Sequence, residues 1–239
     1  MTNKRLVVLA LSVLATAAWA ASAKAPAASA AMSKPAVDTT VATLVGVNDD
    51  APDVLIRTLS TDVLARIKAD PAVQAGDIAK ISVLVDETIM PYVNFQRMTA
   101  SAVGRPWRTA TPEQQKKIQD EFKILLLRTY SGALSQARTL TIDVKRLRAA
   151  PTDKDVTVKS EFKSGDSSPV SVDYRLEKTD KGWRVYDMNV MGVWLIETYR
   201  ADFASAVNAG GIDNLIAKLT ERNKSNANTS AKTTAKAKP

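Results

Sequence analysis

Apolar residues along the first half of the chain recur at three- and four-residue spacing, and along much of the second half they alternate, so the sequence predicts helices followed by strands. Asp50, Ala51 and Pro52 form a helix start, with an acid placed to cap and a proline in the first turn. Val54, Leu55, Leu59, Val63, Leu64 and Ile67 then form one stripe, which ends before Asp70 and Pro71. A second stripe of Ile78, Ile81, Leu84, Val85 and Ile89 follows Asp77 and stops near Pro91. A short helix is expected from Pro91 to Gly104, a glycine that suits a C-terminal cap, with Trp107 in the loop beyond it. Thr111, Pro112 and Gln114 spell a capping box for the longest helix, which is expected to reach Gln136 and to bury Ile118, Phe122, Leu125, Leu126 and Tyr130.

Beyond it the period changes to two. Leu140, Ile142 and Val144 alternate with polar residues, as do Val156, Val158 and Phe162, and Val170, Val172, Tyr174 and Leu176. Such alternation marks strands with one buried and one wet face, typical of an antiparallel sheet, and Gly- and Asp-containing turns join them as hairpins. A fourth strand, Trp183 to Val190, places Trp183 and Val185 on one side and Tyr186, Met188 and Val190 on the other. Either it is central and buried on both faces, or a bulge exchanges its faces part-way. Gly192 sits where the period changes again, and Leu195, Tyr199 and Phe203 begin a helix expected to return across the sheet. Gly210 and Gly211 close that segment, and Ile212, Leu215, Ile216 and Leu219 mark a last short helix. The pattern gives an α+β domain with a four-stranded antiparallel sheet packed against several helices.

The ends of the chain have a different composition. Lys4 and Arg5 precede an apolar run from Leu6 to Ala18 and small residues resembling a cleavage site, so residues 1–23 read as a cleaved signal peptide. Residues 24–49, rich in Ala, Ser, Thr and Pro, read as a flexible leader, 50–222 as one domain, and 223–239 as a disordered basic tail. The formal charge is +8, but without Lys4, Arg5 and the four lysines after Arg222 the remainder carries +2. The basicity is therefore terminal, and no nucleic-acid partner is expected. The chain has no cysteine, hence no lipoprotein acylation site and no disulfide framework, and export to a Gram-negative periplasm is the expected address.

Candidate chemistry is sparse. With no histidine or cysteine, hydrolases built on Ser-His-Asp or Cys-His and histidine-based zinc sites are excluded, and no phosphate-binding glycine loop is present. Only carboxylates remain: Asp86 and Glu87 near a helix end, and Asp187, an acid flanked by large apolar residues whose pKa burial would raise. A structural aspartate, paired with an arginine or accepting backbone hydrogen bonds, is the plainer reading of Asp187. Large apolar side chains from separate elements either fill a core or line an apolar cleft.

Several of these residues in order resemble the MlaC, or toluene-tolerance, family of periplasmic phospholipid-binding proteins. They are Trp183 to Gly192 followed by Tyr199, Arg200, Asp202 and Phe203; Val103, Gly104, Arg105, Pro106 and Trp107; Thr111 to Gln115; Phe122 and Tyr130; and Pro91 with Asn94, Phe95 and Met98. The resemblance implies an NTF2-like fold with a curved sheet, an apolar cavity between sheet and helices, and a non-enzymatic carrier that needs no cofactor and no metal. Its cargo would be phospholipid, moved between an outer-membrane lipoprotein/porin complex and an inner-membrane ABC transporter with an MCE-type subunit to maintain outer-membrane lipid asymmetry. Gly104 and Gly192 would be hinge candidates. Under this reading the lipid-binding side chains are drawn from the apolar stripes and strand faces: Leu84, Val85, Ile89, Tyr92, Phe95, Met98, Trp107, Phe122, Leu126, Tyr130, Val144, Val158, Val172, Tyr174, Met188, Val190 and Trp194. Another lipid such as a hopanoid, a non-catalytic adaptor, and an NTF2-like enzyme using Asp187 are the alternatives. The family usually has a small polar residue after Gly192, where this chain has Val193 and Trp194.

Overall fold

Polar side chains immediately ahead of several helices cap them, whereas Ala51, ahead of the first, supplies no side-chain cap. In the computed structural model, which describes residues 51–236 apart from 149, 151, 166 and 167, α1 spans Pro52–Ala69 with proline as its first residue. The expected capping acid Asp50, the signal peptide and the leader lie outside the described residues. Asp70 accepts from the backbone N–H groups of Ala72 and Val73 at the start of α2 (Pro71–Gln74), and Asp77 from those of Ala79 and Lys80 at α3 (Ile78–Leu84). The chain then loosens into a π-helical turn, Val85–Ile89, and a 3-10 turn, Met90–Tyr92. Here the expected Pro91-to-Gly104 helix is shorter than its sequence signal. Val93 is extended and pairs in parallel with Val185, Asn94 N–H donates to the Val185 carbonyl (2.8 Å), and α4 begins only at Phe95 and ends at Val103.

After a 3-10 turn at Arg105–Thr109, the reciprocal Thr111/Gln114 capping box opens α5, Pro112–Gln136. The sheet follows as an antiparallel meander, β1 (Thr141–Val144), β2 (Asp155–Lys163), β3 (Val170–Thr179), β4 (Gly182–Val190) and β5 (Val193–Trp194), in sequential order. The sheet thus has five strands where the alternation predicts four. The fifth is two residues long, too short to carry a periodic signal, and Met191 (φ 51°) and Gly192 (φ 90°) join it to β4 as a two-residue hairpin turn. Gly192 is therefore a hairpin residue, and the helix α6 (Leu195–Lys236) starts only after β5. Gly210 and Gly211 interrupt α6, as their position between two apolar stripes predicts; Gly211 has φ 73°. Asn223, at the start of the expected tail, is buried and donates to the Glu121 carboxylate (2.7 Å) and carbonyl (2.9 Å), so it belongs to the folded body.

The fourth strand resolves as a bulge. Leu176 pairs with Val185 and Arg175 with Asp187, leaving Tyr186 as the extra residue. The bulge returns Trp183 and Val185 to the face that carries Met188 and Val190, and the registers of β1–β3 put Ile142, Val144, Val156, Val158, Phe162, Val172, Tyr174 and Leu176 there too. The first helix covers much of this face: Leu55 and Ile56 pack with Val144, Val158, Leu176, Trp183 and Val185. The other end of α1 joins α2, α3 and α5 in a second cluster of Leu64, Ile67, Val73, Ile81, Leu84 and Leu127. A third cluster lies among α4, α5 and α6, where Phe122 stacks on Phe95 (5.7 Å) and meets Tyr199 and Phe203 edge-on (4.9 and 5.1 Å). The expected return of the closing helix across the sheet is thus corrected: α6 packs chiefly on α4 and α5, and the sheet is roofed by α1.

Phe122 is fully buried and touches three aromatic rings, so Phe122→Ala is expected to cost about 3–5 kcal/mol of stability, measured by urea denaturation. A loss below about 1 kcal/mol would mean that this cluster does not hold the helices together.

Candidate functional site

The apolar face of the sheet and its α1 roof meet in one buried cluster, and the adjoining helices carry two more. Within the first lies a small polar island. The Tyr174 phenol of β3 hydrogen-bonds the hydroxyls of Ser60 on α1 and Ser160 on β2, and Ser160 itself donates to the Val172 carbonyl (2.8 Å). Burial pushes the Tyr174 phenol up, and the two serines offset part of that rise. On the helical side, burial likewise raises the Tyr130 phenol, which meets the Tyr199 hydroxyl. These hydroxyls satisfy one another inside otherwise apolar surroundings, which lets strand and helix approach without an unpaired polar atom.

The residues expected to bind lipid do not gather in one place. Val144 and Val158 are buried between sheet and α1, with Tyr92 and Tyr174 beside them. Leu84 and Val85 lie in the cluster at the far end of α1. Phe95, Met98 and Phe122 are buried among the helices, where Trp107, Leu126, Tyr130 and Met188 pack on them in part. Val172 is buried, and Ile89 and Val190 are half-buried. Trp194 is the outlier. Paired with Asn189, it faces away from Val190, and its ring lies 3.7 Å beneath the Arg175 guanidinium. The expected lipid-binding set omits Leu55, Ile56, Ser60, Leu176, Trp183 and Val185, which build the sheet–α1 interface. The apolar stripe of α1 signalled a helix, but not which element it would cover.

Asp187 is fully buried on the opposite face. One carboxylate oxygen accepts from the backbone N–H groups of Met188 (2.9 Å) and Ile196 (3.2 Å), the other from Arg175 (3.1 Å). Burial pushes its carboxyl above the ordinary aspartate value, while the two amides and Arg175 pull it part of the way back. The Ile196 bond places the carboxylate at the start of α6, where the exposed amides of a helix favour an acceptor. With both oxygens engaged and no exposure, Asp187 holds β3, β4 and α6 together. Its geometry supplies no access for a substrate.

A recess of about 480 Å³ opens at α4 and the following 3-10 turn, lined by Arg97, Arg105, Arg108, Trp107 and small residues. It is basic, and so differs from the apolar cavity expected between sheet and helices. Among the described residues no group of acidic side chains is arranged to hold a metal ion, and no helix is long and apolar enough to cross a membrane.

These features define the class: an α+β domain whose single antiparallel sheet is roofed on its apolar face by helices. The chain belongs to the MlaC protein family, whose model matches residues 57–221. It is 22% identical over 180 residues to the intermembrane phospholipid transport system binding protein MlaC of Haemophilus influenzae, covering 74% of this chain and 84% of that protein. It is 25% identical over 171 residues to the toluene tolerance protein ttg2D of Pseudomonas putida, covering 71% of this chain and 79% of that protein. Among solved structures it resembles the phospholipid-binding protein from Ralstonia solanacearum in complex with a phospholipid, at 46% identity and a TM-score of 0.72, over 74% of this chain and 99% of that one.

Replacing Asp187 by alanine strands the Ile196 amide and the Arg175 guanidinium, and is expected to cost about 1–3 kcal/mol in urea melts. The pH dependence has a definite sign. A carboxyl whose pKa is raised by folding binds its proton more tightly in the folded chain. The stability of the native protein relative to Asp187→Asn is therefore greatest below about pH 4 and declines as pH rises through the folded pKa. Melts across that range that show the opposite trend would overturn this assignment.

Proposed function

We propose that this protein is a periplasmic phospholipid carrier that takes lipid between outer-membrane and inner-membrane complexes and performs no reaction on it. The observation that carries this reading is the 46% identity, over nearly the whole of that chain, to a protein solved with a phospholipid bound. The apolar face of the sheet beneath α1 and the half-buried apolar residues around it supply the chemistry. Each acyl CH₂ moved from water into such surroundings contributes about 0.8 kcal/mol, so two chains hold firmly while the charged headgroup stays in water.

On this reading the domain is NTF2-like, and the acyl chains lie between the sheet and the helices. Val144, Val158, Tyr174 and Met188 meet them from the strands, and Tyr92, Leu126 and Tyr130 from the helical side. The three apolar clusters part along their boundaries to admit the chains, since Tyr92, Val93 and Met188 lie only half-buried between sheet and helices. The signal peptide of residues 1–23 delivers the protein to the periplasm, where it meets a lipoprotein/porin complex on one side and an ABC transporter with an MCE-type subunit on the other. The cargo exchange is a binding equilibrium, and neither cofactor nor metal takes part.

Protein purified from bacterial cells is expected to yield phospholipid on organic extraction, in an amount comparable to the protein and identified by mass spectrometry. Val158→Trp, which fills the fully buried strand position opposite Tyr174, is expected to lower that amount several-fold while circular dichroism keeps its helical signal. Lipid-free native protein that also fails to take up added phospholipid would sink the reading.

A further inference from the structure

The basic recess is unused by anything described so far. Between Glu87 and Glu113 the sequence has no acidic residue and three arginines, Arg97, Arg105 and Arg108, and all three line the recess. Arg97 is already committed: it pairs with Glu177 and with Asp155 (3.1 Å), and its guanidinium lies 3.6 Å from the Tyr186 ring. Arg105 and Arg108 are exposed, and among the described residues neither has an ion-pair or hydrogen-bond partner for its side chain. Arg200 of α6 adds a fourth cation at the edge, donating to the carbonyl of Ser101, a lining residue.

The backbone beneath these arginines is held in place. Gly104 takes φ 76°, a conformation glycine adopts without strain, and the Gln115 side chain donates to the carbonyls of Trp107 (3.0 Å) and Ala110 (3.3 Å). The rest of the lining is small, being Ala100, Ser101 and Gly104, so a bulky anion can approach closely. Guanidinium groups match phosphate oxygens two at a time, and a half-buried indole such as Trp107 settles at the headgroup level of a membrane.

We propose that this recess seats the phosphodiester headgroups of an anionic bilayer, so that α4 and the Arg105–Thr109 turn are the face by which the protein docks on a membrane surface. The recess has the volume of a headgroup-sized site and combines free guanidinium groups with an amphipathic ring. That pairing favours a lipid surface over an acidic protein. The inference stands apart from the carrier reading, because a protein can rest on a bilayer without carrying its lipid.

The test is co-sedimentation of the full chain with phosphatidylglycerol and with phosphatidylcholine vesicles, comparing the native protein with the double substitution Arg105→Gln and Arg108→Gln. Loss of two surface cations is expected to weaken binding to the anionic vesicles about 30-fold, with melting temperature and co-purified lipid unchanged. The native protein is expected to prefer anionic vesicles and to release them as salt rises. Equal affinity of native and substituted protein would assign the attraction to the terminal lysines and overturn the proposal. So would equal binding to neutral vesicles. Displacement from vesicles by millimolar inorganic phosphate at constant ionic strength would show a site for free phosphate instead and overturn the proposal. Co-purified lipid, measured on the same samples, reports on the carrier reading separately.

Discussion

A buried carboxylate at the corner between strand and helix is the contact on which this architecture turns. Asp187 ties the start of α6 to β4 through the Ile196 amide and ties β3 to the same point through Arg175, which in turn covers Trp194 of β5. Burying a carboxylate is costly, and the cost is tolerated because three donors converge on it. Asp187 reaches that position only because Tyr186 bulges out of register; without the bulge, the face occupied by Asp187 would change. The same irregularity returns Trp183 and Val185 to the apolar face and exposes the Val185 carbonyl to Asn94, which draws the chain ahead of α4 against the strand.

From that corner outward, the molecule separates into apolar clusters joined by elements they share. The first helix serves the sheet with one end and the helical bundle with the other, and α5 links the bundle to the aromatic cluster around Phe122. A domain whose apolar interior is divided in this way has boundaries where packing is shared between half-buried side chains. The Ser60, Ser160 and Tyr174 hydroxyls sit at one such boundary and keep one another satisfied.

The charge distribution separates a second surface from this interior. The net positive charge of the chain resides largely in its termini, yet the stretch from Thr88 to Pro112 carries only cations among its charged residues. Folding gathers those cations around one recess. The Arg97 network with Glu177 and Asp155 then anchors α4 to the outer face of the sheet, so the recess is carried on a rigid element.

Local chemistry made much of the fold legible. Thr111 with Gln114 acts within a few residues of its own position, so its capping role could be read from the sequence alone, whereas Asp70 and Asp77 marked only the bounds of apolar stripes and show their capping in the structure. Period-two alternation likewise identified β1 to β3, and the conflict within Trp183 to Val190 announced either a bulge or a doubly buried strand. The family motifs, ordered along the domain, were legible because they are short runs of residues. The fifth strand, the roof over the sheet and the surroundings of Trp194 were not. Two residues carry no period, an apolar stripe does not name its partner, and a tryptophan beside apolar neighbours in sequence stacks here on an arginine supplied by another strand. The sequence by itself determined most of the helices, most of the strands and the family, because those depend on neighbours along the chain. Which helix covers the sheet, where Asp187 is buried and which cations share a recess were decided by tertiary structure, because each requires contacts between residues far apart in the chain.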